Sequence, residues 1–312
     1  MRTISAPSSV VVEVPATSAN CGPGFDCLGV ALSLCNHLEL HPAEIDSLGV
    51  MGEGEDALRG HSTSLAHRAA HAAWQELDLQ PTGFAIAMQN AVPFARGLGS
   101  SSAAIVGGLV AANEWARAYE GRALSDEQLL DLATRIEGHP DNVAPALKGG
   151  FCVCATREDG HAFALTPQVQ RYPRFVVWIP EAQLSTEKAR AALPPNYSRA
   201  DCVFNLSRAA LLVAALATGD FEALAESVRD RVHQDYRAPL VPGWDALSDA
   251  AQGLGALGIT LSGAGPTILF WLSPNKDAPT FVAGIEARAK QQGLAGRALE
   301  VTVGQGARLV KR

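Results

Sequence analysis

Between an alternating, strand-like stretch at 84–88 (FAIAM) and a helical stretch at 103–119 lies the segment Pro93-Phe94-Ala95-Arg96-Gly97-Leu98-Gly99-Ser100-Ser101-Ser102-Ala103. A strand that empties into glycines and serines and then into a long apolar helix commits the chain to a β-loop-helix unit, with the loop at a helix N-terminus. Glycines let the backbone come close to a ligand, and the first N–H groups of a helix have no partners within it. They point, with the positive end of the helix dipole, at whatever anion lies there. The segment has neither the GK[ST] ending of a Walker A loop nor the GxGxxG spacing, and no lysine lies near it. A cation for a bound phosphate therefore has to come from elsewhere. The same letters also spell a serine-capped helix after a glycine turn.

Strand signals at 10–14 (VVVEV), 84–88, 150–155 (GFCVCA) and 175–180 (FVVWIP) interleave with helical spacing at 64–77, 103–119 and 126–137, the last stopped by Gly138 and Pro140. In the 103–119 helix Ile105, Val106, Leu109, Val110, Ala112, Trp115 and Tyr119 fall near one face, which is expected to be core. Helices at 199–217, 220–230 and 277–292 and strands at 258–262, 267–272 and 298–304 complete the pattern, an α+β chain. At roughly 150 residues per domain, 312 residues make about two domains. The Pro- and Arg-bearing stretch at 166–174 places the boundary, giving 1–168 and 169–312 packed into one body.

Composition excludes several function classes. The net charge of −7 argues against a broad phosphate-neutralising surface for nucleic acid. No stretch approaches the roughly 20 apolar residues of a membrane helix; the longest runs are Ala103 to Ala112 and Ala209 to Ala217. Lysine occurs at only five positions, so anion recognition falls to Arg, backbone amides or a metal. Six cysteines without a CxxC pair read as reduced thiols, and MRTISAPSSVVVEV is too weakly apolar for a secretory leader, so a cytoplasmic enzyme is expected. His67 and His71 have the i, i+4 spacing of a zincin helix, but Arg68 stands where its glutamate would be. Cys152 and Cys154 alternate on a strand and read as buried small hydrophobes.

Three further segments carry chemistry-bearing residues. Glu137-Gly138-His139-Pro140-Asp141-Asn142-Val143-Ala144-Pro145 sets two carboxylates and a histidine on a bent backbone, suited to Mg²⁺ and a substrate hydroxyl or, equally, to a helix stop with Asp141 capping the next turn. Pro15-Ala16-Thr17-Ser18-Ala19-Asn20-Cys21-Gly22-Pro23-Gly24-Phe25-Asp26 leaves the first strand as a polar loop in which Asn20 and Asp26 could bind an ammonium. Leu261-Ser262-Gly263-Ala264-Gly265-Pro266-Thr267 is a glycine turn between two short strands.

In order and wording these segments resemble the GHMP kinases, and within that family the homoserine kinases: PATSANCGPGFDCLGVAL as the first motif, GLGSSSAAI as the ATP loop, EGHPDNVAPALKGG as the acidic segment and LSGAGPT as the third motif. Leu184-Ser185-Thr186-Glu187-Lys188-Ala189-Arg190-Ala191-Ala192-Leu193-Pro194 is similar to a further hallmark of that branch, and the likeness runs from about residue 8 to 304. Mevalonate kinases carry a lysine in their first motif and galactokinases a GRxNLIGEH-like segment; Thr17-Ser18-Ala19-Asn20 stands there instead.

The resemblance implies an N-terminal domain like the second domain of ribosomal protein S5, known for a left-handed βαβ crossover, and a C-terminal ferredoxin-like αβ domain, with the site between them. It implies transfer of a phosphoryl group from ATP to the side-chain hydroxyl of L-homoserine. Placed on this sequence, the ATP contacts are Pro93, Arg96, Gly97, Leu98, Gly99, Ser100, Ser101, Ser102 and Ala103, with Gly263 and Gly265. Ser101 and Glu137 ligate Mg²⁺; Glu137, His139 and Asp141 form the catalytic group, with Asp141 as base or as positioning residue. Arg190 and Arg237 take the substrate carboxylate, Asn20 and Asp26 its ammonium, and His139 and Asp141 stand by the hydroxyl or polar head. Thr63 to Arg68, with the segment before the glycine loop, is the candidate region for base and ribose, and homodimers are common in the family. The alternatives are another GHMP-type small-molecule kinase and a non-catalytic nucleotide sensor on the same fold.

Overall fold

The computed structural model describes residues 9–311; residues 1–8, on which part of the leader reading rests, and residue 312 lie outside the described residues. The first sheet begins with β1 (Val10–Ala19) and the 15-residue β2 (Leu28–Pro42), then β3 (Ser47–Gly52), β4 (Phe84–Asn90), β5 (Phe151–Thr156) and β6 (Ala162–Leu165). β1, β2 and β4 are antiparallel neighbours, β3 lies parallel to β4, and β5 pairs with both β2 and β6. The second sheet contains β7 (Arg174–Pro180), β8 (Gly258–Leu261), β9 (Ile268–Leu272) and β10 (Gly296–Val301) in the order β10-β7-β9-β8. Numbered from its own first strand that order is 4-1-3-2, the ferredoxin-like arrangement, with the Ala278–Gln291 helix before the last strand. β9 is buried at all five positions, as a continuous apolar run (ILFWL) should be when both faces are covered.

β11 (Arg308–Lys311) pairs antiparallel with β1, so the last residues of the chain belong to the first sheet and no single cut separates the two halves. Sequence periodicity missed β2, β3, and the Pro140–Lys148 and Trp244–Gly253 helices. The helix expected over 220–230 is Phe221–Ser227, capped by Asp220. It stops early because the Asp230 carboxylate collects the N–H groups of Val232, His233 and Gln234 in a tight turn. The Arg199–Thr218 helix also qualifies an expectation: by length and composition alone it could cross a membrane. Scanning for unbroken apolar runs misses it because charged residues interrupt the stretch. In the fold its Asn205 is buried and bonded to Asp230, while Val203 and Leu206 are exposed.

The Ser100–Glu120 helix runs through the core rather than along its rim. Its buried residues encircle the first half, from Ser102 to Leu109, rather than forming a single stripe. Beside it lies the Leu65–Glu76 helix, whose Ala66, Ala69, Ala70, Ala73 and Trp74 are buried; Trp74 Nε1 donates to the Ala112 carbonyl at 3.0 Å. Small residues set this spacing. A methyl group at Gly108 would overlap the Ala66 carbonyl oxygen, an atom of the neighbouring helix backbone that cannot step aside. Glycine inside an exposed helix costs about 0.5–1 kcal/mol relative to alanine, but overpacking a core contact costs about 1–3 kcal/mol. Gly108→Ala should therefore lower Tm, against the usual helix preference; a raised Tm in calorimetry would show that the two helices can separate freely.

Candidate active site

Three loops meet where the two sheets abut. The loop after β1 turns through left-handed backbone at Asn20 (φ 68°), Cys21 (φ 48°) and Asp26 (φ 56°). Asn20 holds it: its Nδ2 donates to the Gly263 carbonyl at 2.8 Å and its Oδ1 accepts from the Asp26 amide at 3.0 Å. The β8–β9 turn grips both other loops, since the Gly263 amide donates to Ala19 O at 3.1 Å and Ser262 Oγ donates to Gly97 O at 2.6 Å. Gly97 (φ 77°) and Gly99 (φ 69°) require left-handed backbone, and a side chain at Gly99 would collide with Thr17 Oγ1. Gly99 is the N-cap of the Ser100–Glu120 helix and no side chain caps that end. The first-turn amides thus face the cavity with the helix dipole behind them.

The acidic segment is presented by two helix ends. The Asp126–Glu137 helix, begun by a Ser125/Gln128 capping box, ends on Gly138 (φ 100°) and delivers Glu137 to the glycine loop. Ser101 Oγ and Ser102 Oγ both donate to Glu137 Oε1, at 2.7 and 2.9 Å. His139 is then the N-cap and Pro140 the first residue of the Pro140–Lys148 helix, whose start aims Asp141 inward. Asp141, 1% exposed, lies 2.5 Å from His139 Nδ1. Burial opposes a charge on His139. The hydrogen bond and charge of Asp141, with Asp26 and Glu137 beyond, prevail and hold its pKa above the ordinary 6.5. Ligand atoms of Asp26, His139 and Asp141 lie within 4.8 Å of one another.

Two arginines complete the wall. Arg190, from the Thr186–Ala191 helix, makes a two-pronged bond to Asp26 at 3.1 and 2.7 Å, which raises its pKa. Arg237 is 2% exposed; it donates to the carbonyls of Ala189 at 3.2 Å and Gly263 at 3.4 Å and lies 3.4 Å from His233 Nδ1. Burial, and then the charge of Arg190, pulls its pKa down. Buried His233 turns its Nε2 to the Gly22 carbonyl at 2.7 Å, which places it beside the site rather than on a surface helix.

These groups open onto one cavity of about 560 Å³, lined by Gly97, Gly99, Ser100, Ser101, Glu137, His139, Asp141, Asn20, Asp26, Arg190, Arg237, Gly263 and Gly265. Five residues expected at the nucleotide stand elsewhere. Arg96 spends its guanidinium on the carbonyls of Phe94, Pro180 and Glu181, away from the cavity. Pro93 lines a separate surface hollow, Leu98 is packed in the core, and the Ala103 amide already bonds to Gly99 O within the helix. Ser102 is buried against Glu137.

The other end of the cavity is apolar, lined by Leu58, Leu65, Met88, Val92 and Phe94, with Asn36, Asn90 and Ser64 at its edge. Ser64 and Leu65 fall in the 63–68 region and Val92 and Phe94 in the segment just before the glycine loop, the two stretches expected at the base and ribose. Leu58, Asn36 and Met88 come from outside them, though Met88 could have been read from the inward phase of β4. Asn90 Oδ1 is buried there with no partner among the described residues. The zincin-like pair is structural: His67 faces Ser47 O at 3.1 Å and His71 faces Asp46 at 2.8 Å. Cys152 and Cys154 are buried and burial pushes both thiols up.

Models of the GHMP kinases match the chain at residues 64–150 (N-terminal domain) and 212–291 (C-terminal). It is 44% identical over 296 residues to a homoserine kinase of Desulfitobacterium hafniense, covering 94% of this chain and 97% of that one. A homoserine kinase of Synechococcus sp. is 47% identical over 271 residues, 86% and 87% of the two chains. The crystal structure of homoserine kinase from Cytophaga hutchinsonii superposes with a TM-score of 0.87 at 26% identity, over 99% of this chain and 100% of that one.

The raised His139 pKa has a measurable sign. A group whose pKa is higher folded than unfolded stabilises the fold fully below the unfolded value, and loses that contribution as pH rises through the folded value. The Tm gap between wild type and His139→Gln should therefore be widest below pH about 6.5 and close as pH rises past the folded-state value. A gap independent of pH would mean that His139 is not charged beside Asp141.

Proposed function

The chain belongs to the GHMP kinase family, and from that premise we propose that it is an ATP-dependent homoserine kinase, forming O-phospho-L-homoserine. One observation carries the placement of the reaction: the amides at the start of the Ser100–Glu120 helix, the Ser101–Glu137 contact and the His139–Asp141 pair all border the same cavity as Asp26, Arg190 and Arg237. A phosphate tail at the helix start and an amino-acid head at the arginines would leave the side-chain hydroxyl beside Asp141. Six free cysteines suit a reducing compartment and support a cytoplasmic reaction.

The donor set at the phosphate end fits Mg²⁺. Ser101 Oγ and Glu137 Oε1 are hard oxygen ligands 2.7 Å apart, and the closest lysine-type cation is missing from the loop. Bound there, the ion would neutralise charge developing on the transferred phosphoryl group. The protein's own part is to orient and to exclude water. The Gly97–Ser101 backbone cradles the phosphates, and the apolar lobe of Leu58, Leu65, Met88, Val92 and Phe94 covers the base, with the unpaired Asn90 oxygen ready for an exocyclic amine.

At the other end Asp26 and Arg190 satisfy each other with opposite charges that a zwitterion also carries. An amino acid entering between them gives its ammonium to Asp26 and its carboxylate to Arg190 and Arg237. Asp141 accepts from or aligns the hydroxyl, with His139 fixing its carboxylate.

A coupled ADP assay with Mg-ATP tests this. ADP should form with L-homoserine and much less with serine, threonine, mevalonate or galactose, because one methylene or one missing polar contact is worth roughly 1–3 kcal/mol or more. ATP binding without homoserine-dependent ADP would mark a nucleotide sensor. Asp141→Asn should lower kcat more than about tenfold, since bases of this type contribute about 10² to 10⁴. An unchanged kcat removes Asp141 from the chemistry. Glu137→Gln should raise the Mg²⁺ concentration for half-maximal activity, and wild-type metal dependence would exclude Glu137 as a ligand.

A further inference from the structure

We infer that Phe25 is a positioning residue whose ring face holds the guanidiniums of Arg190 and Arg237 together, so that two like charges can converge on one substrate carboxylate. This rests on the reading of those arginines as carboxylate anchors. Arg190 Cζ lies 5.5 Å and Arg237 Cζ 5.2 Å from the centre of the Phe25 ring, both inside the range in which an aromatic face attracts a cation. Two guanidiniums sharing one ring repel each other, and only Arg190 has a carboxylate partner, Asp26. The partners of Arg237 are two carbonyls and the His233 ring. A buried cation with no carboxylate bonded to it among the described residues depends on the electron-rich surfaces around it, and the Phe25 face is one of them.

The ring is itself fixed. It leans, tilted by 31° with centroids 5.4 Å apart, against His233, which is fully buried and bonded to the Gly22 carbonyl of the same loop. Hydrogen bonds from Gly24 N to Asn20 O and from Leu28 N to Gly24 O close the loop on either side of it. Phe25 does not line the cavity, so it acts through the arginines and not by touching the substrate. Nothing about an isolated phenylalanine in a polar loop announces such a role. It follows from a ring that faces two cations at once.

The test uses steady-state kinetics on the full chain. Phe25→Leu should raise the homoserine KM about five- to thirtyfold, the range of one to two cation–π contacts, with kcat and the ATP KM moving less than about twofold. Phe25→Tyr, which keeps the ring, should stay close to wild type. Incorporating 3,4,5-trifluorophenylalanine at position 25 removes the negative ring face with little change of volume, so it decides the matter even if Phe25→Leu folds poorly. It should raise the homoserine KM and leave Tm nearly unchanged. A wild-type homoserine KM in the trifluoro variant overturns the inference, as does a Phe25→Leu effect shared equally by kcat and the ATP KM. Arg190→Lys and Arg237→Lys separate the two levels. If neither raises the homoserine KM, the carboxylate reading itself fails; if they do and the ring variants do not, only the role of Phe25 fails.

Discussion

Everything at the site depends on backbone hydrogen bonds that lash three loops together across the two sheets. Gly263 to Ala19, Ser262 to Gly97 and Asn20 to Gly263 are bonds between segments far apart in sequence, and each ends on a main-chain carbonyl. Arg96 adds a fourth tie by joining the glycine loop to the end of β7. Such bonds act over short distances in a partly buried setting, where leaving a donor or acceptor unpaired is costly. Strain at Asn20, Cys21 and Asp26 persists because these ties over-determine the loop.

Charge is distributed to match. The chain is acidic overall and poor in lysine, yet the cavity brings together two arginines and a helix N-terminus. The carboxylates lie between them. Asp26 and Asp141 neutralise Arg190 and His139 in place, so a polar centre can be buried without stranding a single charge. Arg237 is the exception, held by carbonyls and ring faces, and its depressed pKa records the cost of that setting.

How much of this was legible in the residues varies with the length scale of the cause. The glycine loop, the Asp126–Glu137 helix and the Ser262–Pro266 turn announce themselves because glycine, proline and cap residues act locally. Of the ATP-loop and acidic-segment residues singled out from those local signals, Gly97, Gly99, Ser101, Glu137, His139 and Asp141 line one cavity. Arg96 was misread because a guanidinium after a turn can swing either way, and only the position of β7 decides. The apolar lobe was legible only in part: Leu65, Val92 and Phe94 lie in the stretches expected at the base, whereas Leu58 and Met88 reach it through packing of separate elements. β3 was missed since its alternation is weak (SLGVMG) and its place is set by β4 beside it. A family likeness supplied the two-domain plan, while the return of β11 to the first sheet had no signal in periodicity.

That return bears on how the chain comes off the ribosome. β1 is made long before Arg308–Lys311, the segment that covers its outer edge. Until that segment emerges, the nascent first sheet presents an open edge at Val11 and Val12, ready to pair with any other extended chain. Closure of that edge thus waits for β11, a latch supplied from the far side of the second sheet in chain order.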